Sequence, residues 1–285
     1  MIVSASGLSV STPLRFALLA PKALLVGIFL FAVGSVVVAS FRDPNGHLSF
    51  GLYADLIASD TIQILIWRTV KVAGLTTLIC ALLAYPLASF IASSRRRNLL
   101  LVLVISPWLT SVIVRTFGWI VILGNRGVLN SSLRGLGLID APLRILFTPA
   151  GTILGLVHVL LPFMVISILA VLVQLDRRLP EAGMSLGAGP IQTFLRITFP
   201  LSLPGVLSGC SLTYLLASGA IVTPILLGGL RDTMLGTQIF QEIFALYNFN
   251  RAAAMAMVLL VTSLVVVVPV QWIEARLRRP PGVAS

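Results

Sequence analysis

Two groups of residues in this chain have the types and spacing to act on a small molecule. Ser208, Ser211, Tyr214 and Ser218 recur at intervals of three, three and four. That spacing puts four hydroxyls on one face of a helix. Such a face can line a solute path, or it can bond its own backbone and a neighbouring helix, as small polar residues do in lipid. Trp108, Arg115 and Trp119 are seven and four apart, with Ser111 between them, and are expected to share a second face. An arginine inside an apolar run is paired or faces water. Arg115 can hold a solute carboxylate between two indole walls. Equally, it can be structural, snorkelling to the interface or pairing with a loop acid such as Asp140. His158 stands alone in its run and is expected to bond between helices.

Catalytic chemistry has no support. There is no G-x-x-x-x-G-K-[ST] phosphate loop, no His-Glu cluster and no G-x-S-x-G elbow. Cys80 and Cys210 lie inside apolar runs, at no metal-ligand or disulfide spacing.

The elements that must position these residues are membrane spans. The chain of 285 residues is 58% hydrophobic and only 10% charged, a composition suited to lipid. Uncharged or nearly uncharged runs predict six spans, near Ala23–Phe41, Leu65–Ser94, Leu99–Leu123, Gly151–Leu175, Leu201–Leu227 and Ala252–Ile273. Each is long enough to cross about 30 Å of hydrocarbon. Ala39-Ser40 resembles a signal cleavage site, but the apolar run before it exceeds the usual signal length, so the first helix is read as retained. Pro44, Asn45 and Gly46 predict a turn in the following loop. The net charge of +11 is scattered between spans and reads as flanking charge, not as a nucleic-acid surface. Arg95, Arg96 and Arg97 mark a cytoplasmic span end, and the even number of spans puts both termini on that side. The basic tail with Arg276, Arg278 and Arg279 agrees. The expected organisation is a cytoplasmic segment 1–22, a first helix with an external loop over 23–64, a five-helix core over 65–275 and a cytoplasmic tail over 276–285. Interior prolines at 86, 107, 162, 224 and 269 suggest helices shaped around a cavity. No Asp or Glu lies in the uncharged interiors of spans three to six.

The stretch 176–200, between spans four and five, does not read as an ordinary loop. Pro180 and Glu181 suit a helix start. The pattern stops at Gly187-Ala188-Gly189, and Pro190 opens a second one with Ile191, Phe194, Leu195 and Ile197 near helical spacing. Pro200 and Pro204 are expected to end it and lead into the next span. Two helices this short are marginal alone. They must pack under the protein's own helix ends or dock on a partner.

Glu181-Ala182-Gly183, three residues, Gly187, nine residues, Ile197, one residue and Phe199-Pro200 resemble the E-A-A-x3-G-x9-I-x-L-P signature of ABC importer permeases, with Gly183 and Phe199 replacing Ala and Leu. Val114–Gly124, Gly137–Asp140, Leu160–Val165 and Val222–Gly229 resemble the spermidine/putrescine-type subfamily. The resemblance implies an all-α, multi-pass protein of the bacterial inner membrane. Glu181, Ala182, Gly183, Ser185, Gly187, Ile197 and Pro200 would form the contact with a cytoplasmic ABC ATPase dimer. Small residues at 182 and 183 would let that partner approach, and Ile197 and Pro200 would hold the second helix to the membrane domain. ATP and Mg would sit on the ATPase, with no cofactor on this chain. A second permease subunit, usually different, would complete the solute path, and a periplasmic binding protein would deliver a polyamine, a related amine or an opine-like solute. The competing class, a secondary transporter or channel without an ATPase, calls for intramembrane acids and near-symmetric halves, and neither is visible.

Overall fold

The computed structural model describes residues 12–42, 47–176, 178–229 and 232–278, with side chains from Pro21 onward. The expected turn at 44–46, most of the leading segment and Arg279 lie outside them. The described residues are helical apart from connecting turns and one isolated antiparallel bridge between Arg42 and Leu48. The helices are α1 (Thr12–Ser40), α2 (Gly51–Ala58), α3 (Asp60–Ser93), α4 (Arg97–Ile105), α5 (Val112–Leu123), α6 (Val128–Gly135), α7 (Pro149–Leu172), α8 (Arg178–Ser185), α9 (Pro190–Thr193), α10 (Phe199–Ser218), α11 (Val222–Leu227), α12 (Leu235–Phe244) and α13 (Phe249–Arg278). Six helical stretches are long and apolar enough to cross a membrane. The first is Pro21–Ser40, close to the expected bounds, within a helix that begins at Thr12 and carries Pro21 inside it.

The core is the packing of α3, α7 and α10, with α13 against α10. Lipid tails are as apolar as leucine, so helices associate through close packing rather than through a hydrophobic gain. Small residues provide it. Ala73, Cys80, Ala84 and Ala88 form a fully or nearly fully buried stripe on α3. Gly205 and Gly209, one turn apart on α10, press on α7. A Cβ at Gly205 would lie 2.9 Å from the Ser167 carbonyl oxygen, and one at Gly209 would lie 2.6 Å from the Met164 sulfur. Helix α1 packs on α13 and leaves most of its surface open.

Two expected spans are broken. The third, Leu99–Leu123, divides into α4, a 3₁₀ turn over Ser106–Leu109, and α5; the stretch long and apolar enough to cross is instead Val112–Gly135, with Arg97–Leu109 a shorter apolar helix before it. Pro107 has no N–H for the Leu103 carbonyl, and the Ser106 hydroxyl donates to that carbonyl instead, at 2.9 Å. The Arg115 guanidinium then reaches back across the break. Its Nη2 donates to the Pro107 carbonyl and to the Thr110 carbonyl at 2.7 Å, and its Nε donates to Thr110 Oγ1 at 3.3 Å. The fifth span ends at Ser218, and Pro224 lies in the separate short helix α11. Its other end runs the opposite way from expectation. Pro200 and Pro204 do not stop it, because α9, a π-helical turn over Phe194–Thr198 and α10 form one continuous helix. The Phe199 N–H bonds to the Phe194 carbonyl, five residues back. The wider turn comes just before a proline that cannot make an ordinary helical bond to Arg196. Pro86, Pro162 and Pro269 do lie inside helices.

Gly205→Leu should destabilise the α7–α10 contact by about 1–3 kcal/mol through overpacking, read as a lower unfolding temperature of the solubilised protein. Arg115→Met should cost about 1.5–3 kcal/mol by freeing carbonyls at the α4–α5 break. Full stability in that variant would show that the guanidinium does not hold the break.

Candidate functional site

Helix α8 begins where the Asp176 carboxylate accepts the Arg178 N–H at 2.9 Å. Glu181 lies exposed in its first turn, where a carboxylate suits the positive end of the helix. The helix closes with a pair of hydrogen bonds that cap its C-terminus. Ala188 N–H donates to the Gly183 carbonyl at 3.2 Å, and Gly187 N–H donates to the Met184 carbonyl at 3.0 Å. This Schellman arrangement requires a left-handed residue at Gly187, where φ is +87°. Gly189 and Pro190 then start α9. The two short helices joined by a glycine reversal are therefore present as read from the sequence.

The side chains of this element divide by direction. Glu181, Ala182, Ser185 and Gly187 face outward, with Ser185 Oγ bonded to the Glu181 carbonyl at 3.0 Å. Leu186, at 90% exposure, Ile191 and Leu195 leave an apolar surface uncovered. Gly183 points inward, which corrects the expectation that it opens room for a partner. A Cβ there would lie 2.7 Å from Ile197 Cδ1, so the missing side chain lets α8 sit against the π-helical turn. Pro200 is exposed in the first turn of α10. A cleft of about 220 Å³, lined in part by Ser89, Arg97, Asp176 and Pro180, separates α8 from the ends of α3 and α7.

Tyr85 of α3, which no sequence pattern marks, ties this element to the core. Its hydroxyl hydrogen-bonds Ser202 at 2.7 Å, and its ring meets Phe194 at 5.5 Å and Phe199 at 5.6 Å. The π-helical turn is thus clasped by an aromatic cluster on a scaffold helix.

The polar stripes are placed differently. Trp108, Arg115 and Trp119 do not form one continuous helical face, because the helix is broken between Trp108 and Val112. Trp108 stacks edge-on against Phe163 of α7 at 5.7 Å. Ser111 is the exposed N-terminal boundary of α5. Trp119 Nε1 donates to His158 Nδ1 at 3.2 Å, a bond between helices as expected of His158. On α10, Ser211, Tyr214 and Ser218 are buried within the bundle, and only Ser208 keeps partial exposure. Ser218 hydrogen-bonds its own helix at Leu215 and meets Ser263 of α13 at 3.2 Å.

At the opposite end of the bundle, α11, α12 and the segment before α7 surround a recess of about 600 Å³. Phe147, Asp232, Thr233 and Gln241 are among the residues that line it. Phe147 has a positive φ of 61°, a backbone state that no sequence signal announces for an aromatic residue.

Known proteins share this fold. The family model for the binding-protein-dependent transport system inner membrane component matches residues 80–279. The chain is similar to the spermidine/putrescine transport system permease protein PotB of Haemophilus influenzae, with 36% identity over 242 residues, covering 81% of this chain and 84% of the relative. PotB of Escherichia coli K12 is 38% identical over 212 residues, covering 74% of this chain and 77% of the relative. The fold matches a chain from the crystal structure of a bacterial ABC transporter involved in import of the acidic polysaccharide alginate. That match has a TM-score of 0.78 and 22% identity, and covers 93% of this chain and 96% of that one. A secondary transporter or channel is thereby set aside. The chain belongs to the binding-protein-dependent transport system inner membrane components: it is an inner-membrane permease subunit of an ABC importer, and ATP hydrolysis belongs to a separate ATPase.

Proposed function

We propose that this subunit forms half of the translocation path for a small organic amine, and that α8 and α9 receive the stroke of a cytoplasmic ABC ATPase dimer. The amine reading rests on 36–38% identity to PotB relatives over most of the chain. The coupling reading rests on α8: a short, capped helix with an exposed apolar surface, standing over a cleft and braced through Gly183 on the helix that becomes α10. ATP and Mg bind on the ATPase. A second permease, different in sequence, completes the path, and a periplasmic binding protein delivers the solute. Both termini and the α8–α9 element then face the cytoplasm, in keeping with Arg95, Arg96 and Arg97 at the same end of the bundle.

The mechanism is alternating access. Closure of the ATPases pushes α8 and α9. Because α9 is continuous with α10, the push enters the bundle along a helix axis, and the Tyr85–Ser202–Phe194 cluster spreads it to α3. Trp108, Ser111 and Trp119 remain the candidates for a path face toward the second permease. Arg115, whose Nη2 and Nε bond backbone and Thr110 while its Nη1 has no partner among the described residues, serves the α4–α5 break. The buried hydroxyls of α10 serve helix packing, and Ser208 keeps the path role.

Glu181→Lys or Gly187→Trp should abolish uptake while the protein stays in the membrane; normal uptake in either variant defeats the coupling role. The Gly187 change carries an added backbone cost of about 1–2 kcal/mol, since φ there is positive. For the solute, the cognate binding protein screened by thermal shift against a metabolite panel should be stabilised by di- or polyamines. Stabilisation by non-amines alone overturns the amine reading.

A further inference from the structure

The recess at the end of the bundle opposite α8 has the chemistry to hold an ammonium group. Its aromatic wall, Phe147, is kept in a left-handed backbone state that non-glycine residues occupy only when their surroundings hold them there. The Phe147 N–H donates to the Leu227 carbonyl at 2.9 Å. Gly229, itself at φ +74°, lies so close that a Cβ there would be 2.9 Å from the Phe147 carbonyl oxygen. Phe147 is left 59% exposed beside the recess. Asp232, half-buried in the same wall, has no hydrogen bond or ion pair to its carboxylate among the described residues. Glu242 on α12 is the contrast. It is 3% exposed and its carboxylate is engaged by Arg251 and Gln238, each at 3.5 Å, so it is committed to structure. Thr233 and Gln241 add neutral groups able to accept an N–H.

A carboxylate without a partner among the described residues, on the same recess as an exposed aromatic side chain, is the pairing that attracts an organic cation, through charge and through the ring quadrupole. The same carboxylate repels anions. The site also answers a deficit, since the uncharged span interiors from the third onward hold no acid and the chain carries +11. An amine crossing such a protein needs negative charge placed before the spans.

We propose that this recess is a receiving subsite for a primary ammonium group at the outer mouth of the path, with Asp232 as the charge partner and Phe147 as the stacking wall. The proposal rests on the amine reading given above. The test uses the solubilised permease–ATPase complex without its binding protein, titrated with radiolabelled putrescine, together with uptake by the complete importer in proteoliposomes. The wild-type complex should bind putrescine saturably. Asp232→Asn and Phe147→Leu should each weaken binding about tenfold or more, and Asp232→Glu should retain it. Assembly of each variant is checked by co-purification with the ATPase, and Phe147→Leu supplies the answer if Asp232→Asn does not assemble. Wild-type binding left unchanged in the variants, or no saturable binding by a wild-type complex that imports the amine, overturns the subsite alone. A wild-type importer that takes up neither putrescine nor spermidine overturns the amine reading and the subsite together.

Discussion

Hydrocarbon offers no water to a free carbonyl or N–H, and every interruption of a helix inside it must be repaired by the protein. Much of this structure follows from how its interruptions are repaired. At Pro107 the repair is a serine hydroxyl and an arginine fork. Before Pro200 it is a π-helical turn that keeps the backbone bonded while the helix runs on. Both repairs leave a shaped helix where a straight one would give only an anchor. The cost of leaving carbonyls open explains why the Nη2 of Arg115, a residue that by type alone suits a solute site, is turned to the backbone of the break.

The same economy governs α8 and α9. α8 and α9 are too short to be stable alone. A Schellman cap ends the first, and the absence of a side chain at Gly183 lets it settle on Ile197. The second has no independent end, because it continues through the π-helical turn into α10. A load applied to this element is therefore passed to a transmembrane helix, and the Tyr85 cluster shares it with α3. The glycines that allow α7 and α10 to touch make that core close-packed, and a close-packed core moves in discrete rearrangements rather than by gradual deformation.

The two ends of the bundle carry different chemistry. One presents arginines, small helices and apolar side chains suited to a protein partner. The other holds a recess with an acid and an aromatic ring, built where α11 and α12 fold back on the start of α7. The core between them is close-packed and holds buried hydroxyls among its apolar side chains, Thr76, Thr152, Ser211 and Thr213 among them.

Hydropathy alone determined the all-α membrane class and the number of spans, because burial in lipid acts on every residue of a span and leaves a long, redundant signal. The spacing from Glu181 to Pro200 determined the pair of short helices and its glycine reversal, because caps and turns are local and residue-specific. Span ends were less legible. Leu99–Leu123 is uniformly apolar on both sides of its break, and the prolines at 200 and 204 look like stops when a π-helical turn can absorb them. Tertiary structure alone decided that Gly183 faces inward, that Arg115 bonds backbone, that Ser211, Tyr214 and Ser218 of α10 are packed away, and that Phe147 and Asp232 line one recess. Each of these depends on which neighbour stands within a few ångströms across the bundle, and no period or motif along the chain encodes that.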